Sequence, residues 1–535
     1  MTVHARVFRN SYRDSVELMR IAAELEGMAG VTRAGLVMAT KANCEVLTEA
    51  GLFVDAVAGA GPNDLVVALA SDDPDAAMAA LDRAAARLAG AGDGAGAAAT
   101  TRTQWRTIAE GAAGLGGADL ALISTPGGYA TAEALKALKR GINVFLFSDN
   151  VPIEDEIELK TLAVERGLLL MGPDCGTAIL DGVPLGFANA VRRGDIGLIG
   201  ASGTGLQQVS SLIDRAGAGV SQTVGVGGRD LDARVGGLMM LAALRRLEAD
   251  PGTRVIVLVS KPPADEVARR VLGAAGAIAT PVVVNFLGGE PESVRQHGLV
   301  PAATFEAAAA AAVALSRGEQ LPTPSSTVAR SDATTAAAAL LKPGQSRIRG
   351  LYAGGSLAGE AKLVLKATLG AAAARDHEVI DLGDDEYTVG RPHPMIDPRL
   401  RNERIVEVAG DPSTAIVLLD VVIGYGAHPD PAGALVPAIE EARLVASRAG
   451  RSLTFVASVC GTDADSQGRT AQEARLASAG VLLAPSNAQA AAIAAAIIQA
   501  APAPGRSADT GRPVAGRSGG ALRAGASHGP IGGVM

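Results

Sequence analysis

The apolar positions of the chain fall in short unbroken runs, not in alternation with polar ones. Runs rich in Val, Ile and Leu occur at Asp64–Ala70, Asp119–Ser124, Asn143–Phe147, Gly167–Met171 and Ile196–Gly200. Further runs occur at Arg254–Val259, Pro281–Leu287, Ile348–Ala353, Ala415–Leu419 and Ser452–Ser458. Most lead into a turn and a longer stretch of helical period. A strand with one wet face alternates, whereas a strand covered on both faces reads as a continuous apolar run. The pattern therefore predicts parallel sheets sandwiched between helices, and the strand–helix succession predicts α/β domains.

Composition divides the chain. Residues 1–90 read strand, helix, strand, loop, strand, helix, which predicts a small α+β domain. Gly90–Thr100 is almost entirely Gly and Ala and reads as a linker. A second unit covers about 101–190, and Gly194 opens a third that ends near 317. The Pro- and Ser-containing stretch Gly318–Gln345 reads as another linker, before a fourth unit over 346–500. From Ala501 to 535 the chain loses apolar periodicity, and a disordered tail is expected. At 535 residues, several cores are needed.

Charge and cysteine usage narrow the function. The 48 Lys and Arg against 56 Asp and Glu leave a net charge of −8, which argues against a nucleic-acid or polybasic membrane partner. Cys44, Cys175 and Cys460 are far apart, so no disulfide framework or paired-thiol metal site is expected and a reducing compartment fits. The N-terminus carries Arg6, Arg9 and Arg13 without the apolar core of a signal peptide, and a cytoplasmic protein is expected.

The sharpest chemical signal is Ile196-Gly-Leu-Ile-Gly-Ala-Ser-Gly-Thr-Gly205, followed by an amphipathic helix. The first N–H groups of a helix lack internal partners and its dipole is positive there, so this turn is suited to an anion. Ser202, Gly203, Thr204 and Gly205 are the candidate phosphate ligands. The same residues also read as a tight strand-to-helix turn with a hydroxyl cap. Gly227 and Gly228, before Arg229, are candidates for a second wall of the pocket or for a plain turn. In the fourth unit, Gly424, Tyr425 and Gly426 read as another anion turn. Asp174 and Thr177 can hydrogen-bond a ligand, and Cys175 reads as a small buried residue. Asp384, Asp385 and Asp397 are candidate Mg²⁺ ligands, although loop carboxylates are usually only solvated. His393 and His428 are candidate acid/base groups or turn histidines.

Taken together, Phe147-Ser-Asp-Asn-Val-Pro152, Met171-Gly-Pro-Asp-Cys-Gly-Thr177, Ile199–Gly205, Gly227-Gly-Arg-Asp-Leu231, Ser260-Lys-Pro-Pro263, Asp381–Asp397 and Gly461-Thr-Asp463 resemble the FdrA family. That family is a branch of the succinyl-CoA synthetase-like, NDP-forming acyl-CoA synthetases. The resemblance covers about residues 1–500. It implies a Rossmann-like CoA-binding-type domain and two flavodoxin-like ligase-type domains, preceded by a ferredoxin- or ACT-like module. It further implies a phosphate clamped by two helix N-termini, at Ser202–Gly205 and Gly424–Gly426. A CoA-type ligand would lie along Ser124, Thr125, Asn150, Val151 and Asp174. Lys261, Ser202 and Arg391 are the implied catalytic residues.

Departures from the family pattern shape the expected activity. The stretch Val282–Gly289, which matches the phosphohistidine loop of the synthetases, contains no histidine; His297 lies outside it. Lys261 replaces the glutamate that orients that histidine, and no ATP-grasp domain or usual glycine-rich CoA loop is evident. The resemblance thus implies a subunit of a carbamoyl- or acyl-transfer enzyme, working with partner subunits on oxalurate-like amides and phosphate in allantoin breakdown. A CoA-binding acyl-CoA ligase subunit and a non-catalytic assembly or regulatory subunit are the alternatives.

Overall fold

In the computed structural model, the structure describes residues 2–11, 13, 15–89, 105–323, 332–388 and 392–501. The Gly/Ala linker, the expected disordered tail beyond Ala501, and Arg391 lie outside the described residues.

The first unit runs β1 (Thr2–Phe8), α1 (Ser15–Glu26), β2 (Arg33–Met38), α2 (Lys41–Glu49), β3 (Leu65–Ser71) and α3 (Pro74–Leu88). Its sheet has the order β1-β3-β2 and is antiparallel. β3 is buried on both faces because helices cover one side and the α2 region the other. The stretch read as a loop holds α2, started by Thr40, whose hydroxyl accepts from Asn43 N at 3.3 Å.

The second unit holds α4 (Ile108–Gly114), β4 (Leu120–Ile123), α5 (Gly127–Leu138), β5 (Asn143–Leu146), α6 (Ile153–Glu165) and β6 (Leu170–Met171), with a parallel sheet β4-β5-β6. A hairpin follows, β7 (Thr177–Leu180) and β8 (Val183–Gly186). It joins the next sheet, so the second unit read from sequence donates its last strands to the third.

That third sheet adds β9 (Arg193–Ala201), α7 (Gly203–Arg215), β10 (Val220–Gly225), α8 (Leu238–Glu248), β11 (Val255–Ser260), α9 (Asp265–Gly276), β12 (Val282–Phe286), α10 (Pro291–Arg295), β13 (Val300–Pro301) and α11 (Phe305–Arg317). Its order is β13-β12-β11-β9-β10-β7-β8, with β9 to β13 parallel and the hairpin antiparallel at one edge.

The fourth unit begins inside the stretch read as a linker, where α12 (Asp332–Leu340) packs on the last helix through buried Ala337 and Ala338. It continues with β14 (Arg347–Tyr352), α13 (Gly355–Leu369), α14 (Ala371–Ala374), β15 (Glu378–Asp381), α15 (Asp385–Thr388) and α16 (Arg399–Gly410). β16 (Thr414–Val422), α17 (Pro431–Arg448), β17 (Thr454–Cys460), α18 (Arg469–Ser478), β18 (Leu482–Ala484) and α19 (Asn487–Ala500) complete it. This sheet is all parallel, in the order β15-β14-β16-β17-β18. Each of the ten apolar runs overlaps a strand.

One apolar core spans the third and fourth units. Leu198, Leu206 and Phe305 on one side pack with Leu357, Ala361 and Ala490 on the other. A second core joins Phe145 and Leu146 to Ile199, Met240 and Leu258. The second, third and fourth units are thereby packed on one another through shared cores. No helix among the described residues is long and apolar enough to cross a membrane.

Candidate anion-binding cleft

Ligands of open α/β sheets sit beyond the carboxyl ends of the strands, where successive connections leave in opposite directions. In the third unit that point lies between β9 and β11, since β10 lies on one side of β9 and β11 on the other. Ala201 is the register partner of Ser260, so Ser202 and Lys261 leave adjacent strands at the same edge. In the fourth unit the equivalent point lies between β14 and β16. There Ala353-Gly-Gly-Ser356 leads into α13.

The two points face each other. Ser202 is the N-cap of α7 yet makes no side-chain cap bond to its own helix. Its Oγ instead meets Ser356 Oγ at 2.6 Å. A Cβ on Gly354 would lie 2.9 Å from Thr204 Cγ2 and 3.1 Å from Asp420 Oδ2, so only glycine allows the approach. α7 and α13 thus meet N-terminus to N-terminus, and neither has a side-chain cap at its first amides. Ser202, Thr204 and Ser356 are all buried.

Two like dipole ends repel, and acidic side chains offset the repulsion. Asp420, buried at the end of β16, accepts from Ala353 N and Gly354 N at 2.8 Å each. Arg401, also buried, contacts the same carboxylate at 3.1 Å. Burial pushes the Asp420 carboxyl up, against the pull of Arg401 and the two amides. Asp381, at the end of β15, abuts the Cα of Gly355 and accepts from Gly383 N at 3.0 Å. Burial raises it to about 6, with Asp420 and Asp384 adding to the rise and Lys261 opposing it.

Lys261 is exposed, and among the described residues no carboxylate lies within 4 Å of its ammonium. Its charge acts on Asp381 of the fourth unit and on Asp174 of the second. Asp174 keeps an exposed edge, yet burial of its carboxyl, and after that the charges of Asp149 and Asp385, push it up to about 6, opposed by Arg229 and Lys261. Asn150 and Asp174 both hold left-handed backbone, at φ 54° and 53°. Such conformations cost about 1 kcal/mol or more for non-glycine residues and cluster at functional sites.

The other sequence candidates divide. Gly227 has φ +87° and would collide with the Pro173 carbonyl if it carried a Cβ, and Gly228 lies beside Asp174. These glycines therefore pack on the Gly172–Asp174 turn. Arg229 is already engaged: its guanidinium donates to Val151 O at 2.7 Å and pairs with buried Glu156 at 2.9 Å. Glu156 pairs in turn with Lys160, and Lys160 with Asp230, all inside the protein.

Gly424–Gly426 is not the facing turn. Tyr425 N donates to Ala188 O at 2.8 Å, and Gly424 N donates to Gln467 Oε1 at 3.2 Å. Gly426 packs on the Phe187 ring. Two of the three amides are spent, one on Ala188 of the neighbouring unit and one on Gln467 of the turn's own unit, beside a latch in which Asp465 accepts from Asn189 Nδ2 at 2.9 Å and Ala190 N at 2.7 Å. The facing residues, Gly354–Ser356, were missed, although Leu351-Tyr-Ala-Gly-Gly-Ser-Leu repeats the strand, small-residue turn and helix of Ile199–Leu206.

Ser124, Thr125, Asn150 and Val151 lie past the carboxyl ends of β4 and β5. Thr125 Oγ1 is buried without a partner, and Ser124 and Asn150 are exposed beside it. His393 packs on Phe187 with ring centroids 5.9 Å apart, and its Nδ1 accepts from Met395 N at 3.2 Å. Burial and Arg401 lower its pKa to about 4, so the ring is neutral. No group of three or more His, Cys, Asp or Glu among the described residues is arranged to hold a metal. Asp397 is bound by Arg399 Nε at 2.8 Å.

Sequence-family profiles match three stretches: "CoA-ligase" at 351–497, "CoA binding domain" at 191–288, and "AllF, heavy metal-associated domain" at 1–104. The CoA binding profile thus falls on the seven-stranded sheet, not on the three-stranded unit where the resemblance puts a CoA-type ligand. The heavy-metal label does not fit the residues present, since soft metals take paired thiolates and this unit has Cys44 alone. The chain is similar over nearly its whole length to YahF of Escherichia coli K12, 41% identical over 91% of this chain and 97% of that one. It also resembles the succinate–CoA ligase [ADP-forming] subunit alpha-2 of Trichomonas vaginalis, 32% identical over 27% of this chain and 47% of that one. The ADP-forming sulfoacetate-CoA ligase subunit SauD of Bilophila wadsworthia is 28% identical over 33% of this chain and 62% of that one. The fold and cleft define an acyl-CoA synthetase-like α/β protein built from ligase-type units. The chain belongs to the FdrA-like, succinyl-CoA synthetase-like family.

Proposed function

We propose that the chain is a subunit of a carbamoyl-transfer enzyme that holds phosphate between the N-termini of α7 and α13. The observation that carries this reading is the 2.6 Å contact of Ser202 with Ser356 between two helices without side-chain caps. An inserted phosphate would replace that contact with charge-assisted bonds from both hydroxyls and the free amides. Gly203, Thr204 and Gly205 line one jaw, Gly355 and Ser356 the other. Lys261 neutralises the anion at the rim, and Arg391 is assigned to the carboxylate of the oxalurate-like amide, which stays on oxamate, the carbamoyl acceptor of the reverse reaction.

The reaction exchanges carbamoyl between an oxalurate-like amide and phosphate. A phosphate oxygen attacks the carbamoyl carbon, the C–N bond to oxamate breaks, and the nitrogen takes up a proton. Positioning and stabilisation of charge on phosphate do the work, and no phosphohistidine is required. The missing histidine in Val282–Gly289 and the match to an AllF-type N-terminal domain support this reading. The test is phosphate-dependent formation of carbamoyl phosphate from oxalurate by the purified protein, alone and with candidate partner subunits. Absence of that activity in every combination, with tight CoA binding instead, rejects it.

The second reading, a subunit of an acyl-CoA ligase, is favoured by the CoA-ligase and CoA binding profiles. CoA, when bound, supplies a thiol as acyl acceptor. Thr125 Oγ1, Ser124 and Asn150 fit a ligand rich in amides. Nucleotide-dependent thioester formation in the complex, with Mg²⁺, would select this reading.

A further inference from the structure

A separate groove lies at the opposite end of the fourth sheet, by the amino ends of β14 and β15. It has a volume of about 560 Å³ and is lined by Arg347 and Arg349 of β14, Lys362 of α13, and Arg375, Asp376 and Glu378 around the start of β15. Four cations thus face two carboxylates, in a chain whose net charge is −8. One cation is neutralised: Arg349 pairs with Glu378 at 2.9 Å and with Asp411 at 2.6 Å. Among the described residues no carboxylate lies within 4 Å of Arg347, Lys362 or Arg375. Unpaired like charges repel one another across the groove, and a bound polyanion relieves that repulsion.

His377 also lines the groove. Its Nδ1 accepts from Ile348 N at 3.2 Å, so the neutral ring carries its proton on Nε2. The walls therefore offer donors: two guanidiniums, an ammonium and an imidazole N–H. The apolar floor is small, formed by Leu365, Ala374 and Val379. The volume lies within the range of small-molecule sites. We propose that this groove binds a small molecule bearing a di- or triphosphate group, as in a nucleoside diphosphate. Guanidinium forks match phosphate oxygens in pairs, and Arg347, Arg349, Lys362 and Arg375 against Asp376, Glu378 and Asp411 leave the lining net positive.

The groove is distinct from the cleft between α7 and α13 but shares α13 with it. Lys362 stands six residues after Ser356, about 9 Å along the helix. The groove does not depend on the carbamoyl-transfer reading.

The experiment is calorimetry of the full chain with pyrophosphate and with ADP, both free of metal, and with citrate as a carboxylate control. In the wild-type protein, pyrophosphate and ADP bind at least tenfold more tightly than citrate. Lys362→Glu combined with Arg375→Glu weakens both by at least tenfold, and Lys362→Gln with Arg375→Gln does so to a smaller degree without charge reversal. Equal pyrophosphate binding by the wild type and the charge variants overturns the proposal. So does citrate binding as tight as pyrophosphate and equally sensitive to the variants, since that would make the groove a carboxylate site.

Discussion

The fourth unit contains two glycine-rich turns after neighbouring parallel strands, and they do opposite things. After β14, Gly354-Gly-Ser356 opens α13 toward α7, and the serine hydroxyl meets its counterpart Ser202. After β16, Gly424-Tyr-Gly426 spends its amides on Ala188 and Gln467 and packs against Phe187. Both turns need glycine, the first for close approach and the second for positive φ as well. The difference is which N–H groups are left: Asp420 takes the Gly354 amide but those at Gly355 and Ser356 stay open, whereas Gln467 and Ala188 take those of Gly424 and Tyr425. A glycine turn marks where backbone can come close to something; its neighbours decide whether that is a ligand or another part of the chain.

The largest effect separating the two turns should come from Asp420. Asp420→Ala leaves Arg401 buried without its carboxylate and two amides without an acceptor. It should cost about 3–5 kcal/mol in urea unfolding. A loss under about 1 kcal/mol would show that Asp420 does not hold the α13 turn.

Gly424→Ala comes next. Its φ of +119° and the collision with Ala188 O should cost about 2–4 kcal/mol. Phosphate affinity of the folded fraction should stay within about twofold, under 0.5 kcal/mol. Gly354→Ala should instead abolish phosphate binding, because its Cβ enters the space between Thr204 and Asp420. If the two variants behaved alike toward phosphate, the division of roles would fail.

Ser356→Ala removes one hydroxyl from the clamp and should weaken phosphate binding about tenfold, or 1.4 kcal/mol. Calorimetry at fixed salt measures this, and an unchanged Kd would move the anion elsewhere.

The smallest effect is one of pH. Asp381 has a folded pKa of about 6, above the 3.8 of an ordinary aspartate. Its contribution to stability is therefore fully present below 3.8 and is lost as pH rises through about 6. A phosphate arriving beside it favours the protonated carboxyl further, so affinity should climb as pH falls through about 6. Asp381→Asn should flatten the calorimetric pH profile between pH 5 and 7, about one unit either side of that value; a profile that stays steep would assign the titration to another group.

Much of this fold was legible in the chain itself. Continuous apolar runs such as Arg254–Val259 marked strands covered on both faces, and the small-residue turn after β9 marked a helix start suited to an anion. The resemblance carried by segments such as Ile199–Gly205 and Ser260–Pro263 agrees with the family to which the chain belongs. Less legible were elements whose stability comes from distant neighbours. The hairpin of β7 and β8 pairs with β10 across more than forty residues of sequence, and α12 gains its place by packing on α19. Arg229 looked free to meet a phosphate until the fold put Glu156 beside it.

The sequence by itself determined the local conformations: which runs become buried strands, where small residues allow a sharp turn, and where helices start. Those follow from side-chain period, backbone sterics and short-range hydrogen bonding, all of which act within a few residues. Only the tertiary structure decided that Ser202 faces Ser356 and not Gly424–Gly426, and that Lys261 acts on Asp174 and Asp381 at once. The reason is that a free amide or an unpaired charge is a property of what packs against it, and here the packing joins residues far apart in the chain.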